Sequence, residues 1–302
     1  MKVSIGYDGS ESAEKALEEL NRAGLPADTE ILVVAIGSIW MPPTDTSNFP
    51  AEVLASRRVA ATMAQLQTQA EQTLKETEEM TNKAATRIRA DFPNWTVRTE
   101  SMSGDAGFTL IEKAADWKAD LIIVGTQNRS ALGRFVLGSV SKKVVTKADC
   151  SVRVARSVIS DDNLAPQRII AGIDNSNSVR SIIEAIAGRN WTSGSEVLLL
   201  TAIEAVAEYG IPVSEQLNTL GNTQRAAMAR LVETGLKASL SIKQGEAKRE
   251  LLLEAEKWKA DCIFVGTRNI QGVLDRFLLG SVSSGVVSDA PCSVEVVRAK
   301  AN

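Results

Sequence analysis

The chain has no histidine among its 302 residues, which removes at once the commonest catalytic base, the serine–histidine–aspartate triad and the commonest transition-metal ligand. A hydrolase of the familiar kind is not expected. Cysteine is nearly as scarce, and Cys150, Cys262 and Cys292 stand far apart with no CxxC spacing, as suits packed thiols in a reducing compartment better than disulfides or zinc. No apolar run approaches the roughly 20 residues that cross a bilayer, and MKVSIGYDGS enters a strand-like run without a basic and apolar leader. A cytoplasmic address and no membrane partner are expected. The formal net charge of -3 supplies no basic field to gather nucleic acid, so that partner is disfavoured too. There is no GxxxxGK[ST] and no GxGxxG after the first strand-like run, where the chain reads GYDGSES and later GIDNSNS. Walker-type NTPase chemistry and dinucleotide-dependent redox chemistry therefore lack their motifs.

What is present is said twice. VSIGYDGSESAEKALEEL at 3–20 matches IIAGIDNSNSVRSIIEAI at 169–186, and ILVVAIGS at 31–38 matches VLLLTAIE at 197–204, both at an offset of 166. AADWKADLIIVGT at 114–126 matches AEKWKADCIFVGT at 255–267 at an offset of 141. The first copy therefore carries about 25 extra residues between Gly37 and Gly104. Two domains follow, residues 1–158 and 165–302, with the polar stretch SVISDDNLAPQR at 157–168 as linker.

Within each copy, short and nearly continuous apolar runs alternate with helical patterns. Ala13, Ala16, Leu17 and Leu20 share one face behind a Ser10 N-cap. Such alternation predicts an α/β fold: two tandem open, mostly parallel five-stranded sheets flanked by helices. The insertion, over about 40–100, predicts a long solvated helical stretch over the sheet, broken near Thr77 to Thr81. Trp117 and Trp258 read as packing residues rather than base-stacking platforms. CSVRVAR at 150–156 and CSVEVVR at 292–298 read as edge strands, whose pairing across the copies would hide both edges in an intramolecular pseudo-dimer.

The most informative repeat is VGTQNRSALGRFVLGSVS at 124–141 against VGTRNIQGVLDRFLLGSVS at 265–283. Each copy follows an apolar strand and opens a helix, where unpaired amide groups and the helix dipole favour an anion. Gly125 and Gly138 allow close backbone approach or positive φ, and Ser139 and Ser141 offer hydroxyls. The same residues also serve as turn and N-cap in proteins that bind nothing.

VGTQNRSALGRFVLGSVS resembles the signature of the universal stress protein family, whose ATP-binding members show glycine, two residues, glycine, nine residues, glycine, then serine or threonine. Gly125, Asn128, Gly138 and Ser139 keep that spacing, and the likeness spans both copies. It implies a Rossmann-like, adenine-nucleotide alpha-hydrolase-like fold. It further implies ATP, alone or with Mg2+, as cofactor, and a regulatory role in the stress response. Gly125, Gln127 and Asn128 would line triphosphate and ribose, Gly138, Ser139, Val140 and Ser141 would cradle phosphates, and Asp8 and Ala35 would hold the adenosine end. The counterparts in the second copy are Asp174, Ala202, Gly266, Arg268, Asn269, Gly280, Ser281, Val282 and Ser283.

Two departures stand out. The middle glycine is asparagine in both copies, the residue that best tolerates left-handed geometry in its place. The second copy has ten residues between Asn269 and Gly280 where the family has nine, so the first copy is the better expected site. For Asp8 and Asp174, capping of the following helix stands beside ligand contact, and Arg268 fits a phosphate or a plain surface equally. No acid lies within the first-copy motif at 124–141 to hold a metal, so dedicated catalysis does not follow, while slow hydrolysis stays open. An interaction scaffold that binds no nucleotide is the alternative reading; beside the intramolecular pseudo-dimer, the expected partners are an unidentified protein and a further copy of the chain in a homodimer.

Overall fold

The computed structural model describes residues 1–37, 57–129, 135–156, 165–174, 178–203, 213–267 and 279–299. The first copy runs β1 (Lys2–Gly6), α1 (Glu11–Glu18), β2 (Glu30–Gly37), α2 (Arg57–Asp91), β3 (Thr96–Ser103), α3 (Ala106–Asp116) and β4 (Leu121–Gly125). A small hairpin of β5 (Gln127–Arg129) and β6 (Phe135–Val136), then α4 (Ser139–Lys147) and β7 (Ser151–Ala155), complete it. The second copy runs β8 (Arg168–Gly172), α5 (Ser178–Ala187), β9 (Glu196–Ile203), α6 (Val213–Glu233) and β10 (Lys237–Gln244). It ends with α7 (Ala247–Trp258), β11 (Cys262–Gly266), α8 (Ser281–Asp289) and β12 (Ser293–Val297). The expected α/β architecture is there, and its two five-stranded parallel halves fuse into one ten-stranded sheet of order β10-β9-β8-β11-β12-β7-β4-β1-β2-β3.

Local sequence explains the elements. Ser10 caps α1 by accepting the Ala13 amide at 3.2 Å, and the helix turns Ala13, Ala16 and Leu17 into the core. Where α1 ends, a 3-10 turn over Glu19–Arg22 carries Glu19 and Leu20 inward as well. Helix α2 corrects an expectation, since its 35 residues run without the break predicted near Thr77 to Thr81. Thr77 and Thr81 instead donate back to the carbonyls of Thr73 and Thr77 at 2.7 and 3.0 Å, so their hydroxyls are satisfied inside the helix. Ala70, Thr77, Thr81, Ala84, Ala85 and Ile88 form the buried stripe of α2, whereas residues 61–69 are mostly exposed. The corresponding α6 has 21 residues, so much of the extra length of the first copy is helix.

The two halves meet at β7 and β12, paired antiparallel with Val152 opposite Val296, Arg153 opposite Glu295 and Val154 opposite Val294. The strict alternation of these strands gives the joint two different faces. On one side the four valines belong to a single apolar cluster that runs through both halves and takes in Leu110, Ile122, Leu251 and Ile263. Trp117 and Trp258 pack against its rim as expected.

On the other side the apolar clusters of the halves stay separate, and charge lies between them. Arg153 donates to Glu19 at 2.6 Å and to Glu295 at 3.3 Å, and Arg189 donates to Glu295 at 2.5 Å. All four side chains are buried. Removing one member of such a network costs about 3–5 kcal/mol, because an uncompensated charge stays behind in low dielectric. Cys262 sits in the same nest, accepting from Arg153 at 3.1 Å, and burial pushes its thiol up to about 12. Together with buried Cys292 and half-buried Cys150, it is a packed free thiol.

Candidate functional site

Beyond the carboxyl ends of each set of parallel strands lies a cleft, and the repeat makes the two comparable residue by residue. In the first copy Gly6, Tyr7 and Asp8 leave β1, Ile36 ends β2, Ala106 and Leu110 come from α3, Gly125 ends β4, and Gly138 to Ser141 open α4. In the second copy the equivalent walls are Gly172, Ile173 and Asp174, then Ala202, Ala247 and Leu251, then Gly266, and Gly280 to Ser283 at α8. The clefts enclose about 130 Å3 and about 320 Å3 respectively.

The helix starts are alike. Gly138 and Gly280 are the N-cap residues, with φ and ψ of -65° and 163° and of -65° and 161°, and neither helix has a side-chain cap. The first helical bonds run from Lys142 to Gly138 and from Ser284 to Gly280, each 2.9 Å. The amides of the preceding three residues therefore have no acceptor within the helix. These backbone angles are ordinary extended ones, so positive φ is not why glycine stands there. A Cβ on Gly280 would meet nothing within 4 Å. Nothing in the described residues fills the space in front of that helix start.

Gly125 and Gly266 do a different job. A Cβ on Gly125 would lie 2.2 Å from the Ser12 carbonyl oxygen, and one on Gly266 would lie 2.5 Å from Ser178. Glycine here lets the first turn of the neighbouring helix lie against the strand end.

The serines also divide. Ser139 and Ser281 are exposed at the mouths of the clefts. Ser141 and Ser283 are buried and donate to the carbonyls of Gly125 and Gly266 at 2.7 and 2.6 Å. Their protons tie helix to strand, which corrects the expectation that Ser141 offers its hydroxyl proton to an anion. Val140 and Val282 line the clefts and pack on the apolar cluster.

Asp8 and Asp174 are exposed at the cleft edge. Asp8 accepts the Ser10 amide at 3.0 Å, and the helix cap itself is Ser10. Gln127 and Asn128 lie in β5, so Asn128 has extended strand geometry rather than a left-handed turn. Arg268 and Asn269 lie outside the described residues.

Ala35 does not line the first cleft. It is fully buried, and its counterpart Thr201 accepts from Gln224 of α6 at 2.8 Å on the reverse face of the sheet. The residue in register with Ala202 is Ile36, since Gly6 pairs with Val34 and Gly172 with Leu200. Sequence reasoning missed Ile36, although the offset of 166 already aligned it with Ala202. It also missed the apolar wall of Leu110 and Leu251. Tyr7, another missed wall residue, donates its hydroxyl to Glu14, and burial followed by that bond raises its pKa.

The sequence model of the universal stress protein family matches residues 1–156 and again residues 166–298. The chain belongs to the universal stress protein family. A universal stress protein of Mycobacterium tuberculosis (strain ATCC 25618 / H37Rv) is 31% identical over 190 residues, covering 60% of this chain and 62% of that protein. The alignment thus spans less than two thirds of that relative. Universal stress protein A homolog 2 of Coxiella burnetii is 29% identical over 131 residues, covering 41% of this chain and 88% of its own length. That relative is about the size of one copy here. The crystal structure of a universal stress protein from Archaeoglobus fulgidus DSM 4304 superposes with a TM-score of 0.68 at 19% identity, covering 98% of both chains. It shares the tandem fold. Among the described residues no helix is long and apolar enough to cross a membrane, and no group of three or more Cys, Asp or Glu could hold a metal.

Proposed function

We propose that this universal stress protein binds ATP at its strand-to-helix clefts and acts as a nucleotide-dependent regulator of the stress response. The observation that carries the reading is the open helix start at Gly280, an uncapped N-terminus facing a cleft with space where a side chain would fit. Amides without acceptors and the dipole of α8 favour a phosphate there. Ser281 adds an exposed hydroxyl, and the apolar side of the cleft, Leu200, Leu251 and Val265, suits a flat base. At about 320 Å3 the second cleft reaches the lower end of ordinary ligand pockets. The narrower first cleft favours a scaffold role for the first copy. Bound nucleotide would change the surface that a protein partner meets at the mouth of the cleft.

The test is the native mass of freshly purified protein, with any nucleotide released by heat identified by chromatography and compared with added ATP, ADP and cAMP. One adenine nucleotide per chain is expected. No mass gain at millimolar concentration of all three removes the reading. Repeating the titration with a chelator settles Mg2+: an unchanged affinity means the phosphates are held by the chain alone.

A further inference from the structure

The joint between the copies contains contacts of two kinds. The first kind is reciprocal. Arg156 donates to Val287 and, at 3.3 Å, to Cys292, while its counterpart Arg298 donates to Val145 at 2.5 Å and Cys150 at 2.9 Å. Ser293 accepts the Arg156 amide at 2.9 Å and Ser151 accepts the Arg298 amide at 3.1 Å. Two identical halves could make all of these.

The second kind is not reciprocal. At the centre of the β7–β12 register, where a two-fold axis would pass, Arg153 faces Glu295. In a symmetric pair the central residue faces itself. A first half against a first half would oppose two Arg153 guanidiniums, and a second half against a second half would oppose two Glu295 carboxylates, both in a buried place where like charges opposite one another are unfavourable. A steric contact adds to the charge. The Trp191 ring lies against Gly24, so that a Cβ there would be 2.7 Å from it. By the repeat offset the residue matching Gly24 is Asn190, so a second-half self-pair would push Trp191 onto an asparagine. Arg189 likewise donates to the Ala23 carbonyl at 2.7 Å, while the position matching Arg189 in the first half is Ala23 itself.

We propose that Arg153, Glu295 and the Trp191–Gly24 contact make each half accept the other and reject a copy of itself, so that β7 pairs with β12 and two like edges are barred from pairing across a two-fold axis. The inference is independent of nucleotide binding.

The test uses the full chain. Glu295→Arg rebuilds the arginine-on-arginine axis inside the intact protein, Gly24→Asn rebuilds the side chain beneath Trp191, and Glu295→Gln removes the charge without opposing like ones. Amide hydrogen exchange at residues 152–154 and 294–296 reports the joint, and exchange in β1 and β9 reports the halves. Glu295→Arg should speed exchange at the joint roughly tenfold or more beyond Glu295→Gln while β1 and β9 stay protected. Gly24→Asn should do the same to a smaller degree. Equal protection in Glu295→Arg and Glu295→Gln overturns the proposal. Should Glu295→Arg unfold the whole chain, a double-mutant cycle of Arg153→Met with Glu295→Gln decides. The double variant should lose no more thermal stability than the worse single, and additive losses overturn the proposal.

Discussion

The two clefts are built from the same repeat and, among the described residues, differ in the side chains that line them. Ile36 and Tyr7 stand in the first where Ala202 and Ile173 stand in the second. The helix starts, the serine bonds to the strand ends and the exposed aspartates are shared. The uncapped helix start is thus kept in both copies, while the space beside it is larger in the second. Spacing within the glycine motif had favoured the first copy. Volume favours the other, because a branched side chain on a rigid strand has nowhere else to go.

Five substitutions sharpen the comparison of the two copies. The largest effect is expected from Ala202→Ile, which copies the first wall into the second cleft and should weaken ATP about tenfold to a hundredfold by calorimetric titration. An unchanged affinity would remove side-chain size as the cause of the difference. The reverse change, Ile36→Ala, should let a second equivalent of nucleotide bind, seen by native mass, at a cost of about 2 kcal/mol in stability for a half-buried isoleucine. A count that stays at one would mean the first cleft is closed by something other than Ile36.

Gly280→Ser should act with opposite signs on two readouts. A serine with these N-cap angles can accept an amide of the first turn, so stability should rise by a few tenths of a kcal/mol, while the added side chain should weaken ATP measurably. Weakening without the gain in unfolding midpoint would point to a damaged helix start. Away from the clefts, Glu246 caps α7 without a side-chain hydrogen bond, whereas its counterpart Asp105 accepts the Phe108 amide at 2.9 Å. Glu246→Asp should therefore stabilise the second half by up to about 1 kcal/mol in chemical unfolding. The cap difference also has a pH signature. Lys143 first, then the Phe108 amide, hold the Asp105 carboxyl below its ordinary range. Its contribution is complete above the unfolded-state pKa and fades as pH falls through the folded one, so Asp105→Asn should flatten the acid limb of the stability curve.

Much of this molecule was legible in its residues. The repeat, the α/β alternation and the pairing of CSVRVAR with CSVEVVR across the copies all follow from patterns that physics reads directly: period, run length and an edge that needs covering. Which face of β2 looks into the cleft was not legible from pattern, because ILVVAIG is apolar throughout. A strand buried on both sides gives no alternation, so run pattern alone does not separate Ala35 from Ile36, and within the sequence only the repeat offset pairs Ile36 with Ala202. The unbroken course of α2 was missed for a related reason. Threonine disfavours helices when its hydroxyl competes for backbone, but Thr77 and Thr81 lie on the stripe that packs against the sheet, and that packing decides. Nor did composition separate the glycines that make room for a helix, Gly125 and Gly266, from those that leave room for something else.

The joint also sets a direction. Because β7 and β12 run antiparallel, all strands of one copy point away from those of the other, and the two mouths open toward opposite ends of the molecule. A body seated on one mouth leaves the far one in open solvent, and neither guest can touch the other. Any message between them must cross the β7–β12 joint, through the shared apolar cluster on one face or the four buried charges on the other.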